Sequence, residues 1–240
     1  KIGTHFSMTH TGNIFCIQCQ RKTRQSFQQG YCYPCYRRLG ECGFCMIHPE
    51  RCHHGKGQCQ GDDWVHASCM QPHIVYFANS SGLKVGITRQ TQIPTRWIDQ
   101  GAIQAIPVFA VASRYLAGRV EVALKNHVAD KTNWRTLLKG NNGLLDLAAE
   151  RDRLVAASAA EIEKIQEEFA GQIEELKDQA VQHIEYPVLT YPTTIKSLDF
   201  AKTPTIAGEL KGIKGQYLIF EHGVINMRKF GGYELDLCNL

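Results

Sequence analysis

Three Cys-x2-Cys pairs in series, Cys16/Cys19, Cys32/Cys35 and Cys42/Cys45, set the terms on which the front of this chain folds. Nine of the ten cysteines and seven of the ten histidines lie before residue 74. Two thiols separated by two residues in a tight knuckle present both sulfurs to one side, and two such pairs complete the tetrahedron that zinc prefers. The spacing therefore predicts about two structural zinc ions. The first site is most simply Cys16, Cys19, Cys32 and Cys35. The second starts with Cys42 and Cys45, and Cys59 and Cys69 are favoured to complete it, with Cys52 and His53 as alternates. A cross-braced arrangement, 16/19 with 42/45, also satisfies the spacing.

Disulfides are the competing use of cysteine. They belong to oxidising compartments, and no basic, apolar, small-residue export pattern opens this sequence. Adjacent Cys-x2-Cys pairs also suit a metal better than a strained local bridge. The expectation is a cytoplasmic protein with reduced thiols. No run approaches eighteen apolar residues, so a membrane-spanning helix is excluded. The front stretch is rich in glycine and polar residues. Such a segment buries little core of its own, and metal binding would supply its folding free energy.

The fold class expected is α+β, in four consecutive blocks. Residues 1–73 form the cysteine-rich zinc-binding region with its knuckles. Residues 74–142 form a small three-stranded α/β domain. Residues 143–186 form an amphipathic helical arm, and residues 187–240 a small β module. Formal charge is uneven across them, at +4, +6, −7 and +1. The basic excess of 74–142 suits a phosphate-rich partner, and also a merely solvated basic surface. Four thiolates at each of two zinc sites would cancel the +4 of the front block, which leaves the second block as the basic surface.

Within 74–142, Ile74-Val75-Tyr76-Phe77 is a β-forming run, Ser80-Ser81-Gly82 a turn signal, and Leu83 to Thr88 a second β-rich run. This predicts an antiparallel hairpin. A helix follows from Pro94 to Asp99 and ends at Gly101. Ile106 to Val111 reads as a third strand, placed at an edge or a start by Pro107. Gly118 to Val128 reads as a further helix. A phosphate is expected near Gly86, Thr88 and Arg96, where backbone amides open the first helix. Trp134 and Arg135 are read as a substrate wall, with core packing the alternative for Trp134.

Ile74-Val75-Tyr76, then Lys84-Val85-Gly86, then Arg96 and Glu121, resembles the GIY-YIG endonuclease superfamily, in the branch whose second motif begins with Lys. The resemblance covers roughly residues 74–142. Ile74 stands where the superfamily has its first glycine, and Arg89 rivals Arg96 for the helix arginine. The resemblance implies that Tyr76 sits at the scissile phosphate, that Arg96 stabilises phosphoryl charge, and that Glu121 holds one Mg²⁺ or Mn²⁺. It places Lys84, Gly86, Thr88 and Arg89 along the substrate. The whole chain, cysteine-rich front included, also resembles a bacterial family to which no function is attached.

In the arm, apolar residues from Leu144 to Ile184 recur at steps near three and four among Glu, Lys and Gln. They predict an amphipathic helix, split if Ser158-Ala-Ala-Glu161 acts as a capping box. Its stripe suits packing on the chain's own sheet, with a protein partner or self-association as the alternative. The function expected is a zinc-containing nucleic-acid-binding protein, with metal-dependent phosphodiester cleavage as its catalytic form. The alternatives are a non-catalytic RNA, DNA or ribonucleoprotein binder and a zinc-stapled protein-interaction scaffold.

Overall fold

The structure is a computed structural model that describes residues 2–53, 59, 62–128, 133–140 and 143–239. In chain order its elements are β1 (His5–Phe15), β2 (Lys22–Thr23), α1 (Tyr33–Arg38), α2 (Asp62–Ser68), β3 (His73–Asn79), β4 (Leu83–Arg89), α3 (Thr95–Asp99), β5 (Gln104–Val111), α4 (Arg114–Lys125), α5 (Trp134–Lys139), α6 (Leu147–Ala157), α7 (Ala159–Glu168), β6 (Ile173–Glu175), β7 (Gln182–His183), β8 (Thr205–Lys214), β9 (Tyr217–Phe220), β10 (Gly223–Asn226) and β11 (Tyr233–Asn239). They form two compact units. One comprises Lys1–Cys42, Arg135–Asn141 and Glu185–Leu240, the other Gly43–Trp134 and Asn142–Ile184. The α+β class holds, with two antiparallel sheets.

The first unit is built on a sheet of order β10-β9-β8-β1-β11, with β2 paired to β1. The front and back of the chain therefore share one sheet. The sequence reading gives the front block no core, yet β1 is an eleven-residue strand inserted between β8 and β11. Met8 and Ile14 on it are buried. The signal is faint because His10 and Gly12 interrupt the alternation of Phe6, Met8 and Ile14. Met8 joins Phe200, Ile206, Leu210, Phe220, Ile225 and Phe230 in this unit's core.

The second unit is built on a sheet of order β4-β3-β5-β6, with β7 also pairing β5. The β3–β4 hairpin matches the expectation, with Asn79 opposite Leu83 across the Ser80–Gly82 turn. Every residue of β3 is buried. Successive side chains alternate faces, so β3 is covered on both. Val75 and Phe77 face the main core with Val120 and Leu124 of α4, Leu154 of α6 and Ile162 of α7. Ile74, Tyr76 and Ala78 face a smaller cluster with Trp97, Ala102 and Ala105.

Pro107 lies on a central strand, not at an edge or start. Val75 pairs with Phe109 while Tyr76 pairs with Pro107, so β5 carries a bulge there. A bulge is where a central strand tolerates a residue without an amide proton. α4 begins four residues earlier than the sequence suggests, because the Ser113 hydroxyl accepts from the Leu116 amide at 3.4 Å.

The helical arm is shorter than its periodicity. Helix ends at Glu168, Gly171 takes φ +73°, and Ile173 lies on β6 against Val111. Ser158 marks the break between α6 and α7, but its hydroxyl bonds the Ala123 carbonyl at 3.4 Å and caps nothing. Leu147, Leu154, Ile162 and Ile165 are buried in this unit's own core.

Candidate functional site

The first four cysteines converge in the first unit. The sulfurs of Cys16, Cys19, Cys32 and Cys35 all lie within 4.8 Å of one another, with Cys19 Sγ 3.7 Å from Cys32 Sγ. Four thiolates about 2.3 Å from a tetrahedral zinc would stand about 3.8 Å apart. The cluster can therefore hold one metal ion with little rearrangement. Cys16, Cys32 and Cys35 are buried and Cys19 is half-buried.

The local fold explains the convergence. The Gln20 amide donates to the Cys16 carbonyl at 2.9 Å, and Gln20 adopts φ 59°, which folds the first knuckle. Cys32 caps α1 and Cys35 lies in its first turn, with Pro34 between them. Gly30 is needed between the knuckles, since a Cβ there would stand 2.7 Å from Ile17. Burial pushes the Cys16 thiol up, but hydrogen bonds from the Cys19, Cys32 and Gln18 backbone outweigh it and hold it down to about 6. Burial pushes Cys35 up to about 12, helped by its three neighbouring sulfurs. The rings of Phe27, Tyr33 and Tyr36 pack on one another beside the knuckles.

The expected second set divides differently. Cys42 belongs to the first unit, where its electrostatic neighbours are Glu41 and Cys16, and its thiol rises to about 11, mainly through burial. Cys45, Cys52, Cys59 and Cys69 line a single pocket of the second unit. Cys52, the alternate of the sequence reading, thus stands where Cys42 was expected. His53 is exposed.

The residues implied by the sheet motif occupy one face of the second sheet. Tyr76 pairs with Gly86, Ala78 with Lys84 and Ile74 with Thr88. Directly opposed residues of an antiparallel pair project to the same side. The Tyr76 ring lies across β4 at Gly86, where a Cβ would stand 2.6 Å from the ring's Cζ. Gly86 thus makes room for tyrosine, and the close approach of a substrate that the motif implies is taken by Tyr76 itself. Thr88 is buried, while Lys84 and Arg89 are half-buried.

Tyr76 is 1% exposed and packs edge-on against Trp97, with ring centres 5.8 Å apart. Its hydroxyl donates to the Gln100 amide oxygen at 2.6 Å. Burial lifts the phenol to about 12. Arg96 acts the other way, by charge and by hydrogen bonding, and Glu121 adds to the rise. Tyr76, Arg96 and Glu121 therefore share one electrostatic neighbourhood, although they come from β3, α3 and α4. The phenol itself is enclosed rather than open to a cleft.

Glu121 is 13% exposed at its side chain and pairs with Lys125 at 3.0 Å. Burial raises its carboxyl, against Lys125 and Arg114, while Glu50 adds to the rise. A Mg²⁺ or Mn²⁺ ion implied by the motif would meet a carboxylate already paired with Lys125, and Glu121 belongs to no cluster of three or more ligand atoms among the described residues. That donor set does not fit a divalent ion. Trp134 opens α5 and is half-buried, whereas Arg135 is exposed and belongs to the first unit. α3 spans only five residues, so Arg96 rather than a helix terminus carries the positive charge there.

Sequence reasoning missed Gln100, Lys125 and Arg114. Lys125 was readable as the i+4 partner of Glu121. Gln100 and Arg114 carry no local signature, since their roles arise only when distant segments pack.

A model for a family described as "Protein of unknown function (DUF2797)" matches residues 3–235. The chain belongs to this family. The match takes in residues of both units and every candidate residue above. No curated protein and no solved structure matches the chain.

Proposed function

We propose that this chain is a zinc-braced protein that binds the phosphodiester backbone of a nucleic acid with a GIY-YIG-like second unit. The observation that carries the reading is the placement of Arg96 against the Tyr76 phenol, on the sheet face that also bears Lys84. A guanidinium fork and a lysine are side chains that suit the oxygens of phosphate. The basic residues Lys84 and Arg89 of β4 and Arg96 of α3 support the same partner. The sheet order β4-β3-β5, with α3 and α4 following, is consistent with the resemblance carried by Ile74–Tyr76 and Lys84–Gly86. Zinc is the ion proposed for Cys16, Cys19, Cys32 and Cys35, because four thiolates and no open position make a closed structural site.

Binding without cleavage is the reading favoured. Hydrolysis would require Tyr76 to release Gln100 and Glu121 to exchange Lys125 for a metal ion. What supports hydrolysis as a second reading is the convergence of Tyr76, Arg96 and Glu121 in one field.

The test is fluorescence anisotropy with labelled single-stranded and duplex RNA and DNA at several salt concentrations. The expected result is binding that weakens steeply with salt. Arg96→Ala and Lys84→Ala should each lower the salt slope by about one. Absence of binding to all four probes at low salt, or variants indistinguishable from wild type, would overturn the reading. The same strands incubated with Mg²⁺ or Mn²⁺ should remain intact, and cleavage lost in Glu121→Ala would favour the hydrolytic reading instead.

A further inference from the structure

Cys45, Cys52, Cys59 and Cys69 come from four separate stretches of the second unit. Cys45 lies in the 3-10 turn Phe44–Met46, and Cys52 follows the 3-10 turn Pro49–Arg51. Cys69 follows α2, with its amide donating to the Val65 carbonyl at 2.7 Å. All four line a pocket of about 410 Å³ whose other walls include Val65, Leu116 and Phe169. Cys69 lies within electrostatic range of Cys45, Cys52 and Cys59, and Cys45 within range of Cys52.

Arg114 is the second observation. This arginine opens α4 beside the pocket, with Cys69 and Cys45 the first two ionisable groups acting on its charge. Its amide donates to the Cys69 carbonyl at 2.8 Å, and its Nη2 donates to the Met46 carbonyl at 2.9 Å. Its Nε is buried and has no hydrogen-bond partner among the described residues. A buried guanidinium needs countercharge, and a buried donor needs an acceptor. Neutral thiols supply neither well, and Glu121, the carboxylate that also acts on Arg114, is already paired with Lys125. A divalent ion held by four thiolates carries a net charge of −2 and presents sulfur acceptors, the kind of outer contact that tunes a metal site.

We propose that Cys45, Cys52, Cys59 and Cys69 form a second four-thiolate metal centre, with Arg114 as its countercharge. The ion is zinc or another divalent ion that accepts sulfur ligands. On binding, four metal–sulfur bonds form and the four thiol protons pass to solvent. Among the described residues only the first four cysteines already bring all their sulfurs within 4.8 Å. The four sulfurs of the second set therefore draw closer together on binding the ion, and α4 backs the turn before Cys52. The turn Pro49–Arg51 rests on α4 at Gly118, where a Cβ would stand 2.6 Å from the Glu50 amide nitrogen.

This site does not depend on nucleic-acid binding, and its test uses none. Full-length protein is loaded with zinc and its metal content measured by native mass spectrometry. The expected result is two ions per chain, falling to one in Cys52→Ser and in Cys69→Ser, and remaining two in Cys42→Ser. One ion per chain in the wild type would overturn the proposal. So would loss of an ion in Cys42→Ser with both retained in Cys52→Ser. Because a cysteine variant can fail to fold, the wild type loaded with ¹¹³Cd provides a second measurement. Two cadmium resonances in the all-thiolate range are expected, and one alone sinks the proposal.

Discussion

The Tyr76 hydroxyl donates to the Gln100 amide oxygen at 2.6 Å, and this bond ties the centre of the second sheet to the end of α3. Tyr76→Phe removes the donor and leaves a shielded amide oxygen unpaired. Such a loss costs about 1–3 kcal/mol. Urea unfolding should show that destabilisation, while anisotropy with single-stranded RNA should show affinity within about twofold of wild type, since the phenol is enclosed. A large drop in affinity without loss of stability would mean that the hydroxyl reaches the ligand.

Gly86 supports the opposite side of the same ring. A Cβ there would meet Tyr76 Cζ at 2.6 Å and the hydroxyl oxygen at 2.7 Å. Tyr76 cannot retreat, because Trp97 and Ala105 pack with it. Gly86→Ala should therefore cost about 1–3 kcal/mol, the usual penalty of overpacking. Combining it with Tyr76→Leu, which shortens the ring, should give less than the sum of the two single effects. Strict additivity in a double-mutant cycle would show that the two residues do not share this contact.

Removal of metal should act first on the knuckles. The loop between Cys19 and Cys32 is held by a two-residue strand, a few backbone bonds and the four sulfurs. Stripping the ion with a strong chelator should open it to a protease specific for Arg and Lys, with early cuts after Arg21, Lys22 or Arg24. Cys35→Ser should show the same early cuts without chelator. Equal cutting rates before and after chelation would argue that the four cysteines hold no structural metal.

The hairpin of β3 and β4 was legible because its apolar runs, turn residues and length agree at every level. The first cysteine set was legible because Cys-x2-Cys fixes two ligands within one turn of chain. Of the second set proposed above, Cys45, Cys59 and Cys69 were favoured from the sequence and Cys52 was an alternate, because Cys42-x2-Cys45 offered the better local pattern. β1 was hidden for a related reason. Its partners β8 and β11 lie some two hundred residues away, and His10 and Gly12 interrupt its alternation. The arm's stripe read as one helix because Ile173 and Ile184 keep helical spacing by coincidence, while Ile173 pairs with Val111 of β5 and the Ile184 amide bonds the Ile103 carbonyl. Burial of Tyr76 was foreseeable only as an alternative, since a motif tyrosine and a core tyrosine look alike in sequence.

His73 gives the second unit an acid-sensitive point. It is 0% exposed, its Nδ1 lies 2.7 Å from the Gln71 carbonyl, and its Nε2 has no partner among the described residues. Burial lowers its pKa to about 4, assisted by Arg114 and Arg89 and opposed by the Gln71 carbonyl. The folded state thus holds histidine neutral where the unfolded chain protonates it. The stabilisation from this group is complete above about pH 6.5 and declines as pH falls towards 4. Its full span is on the order of 3 kcal/mol. Wild type and His73→Gln should be compared by urea unfolding at pH 7 and pH 4.5. Proton-driven metal loss affects both proteins, so the difference between them isolates the histidine. The wild type should lose about 2 kcal/mol more than the variant over this interval. Parallel losses would place the acid sensitivity in the thiolate sites instead of His73.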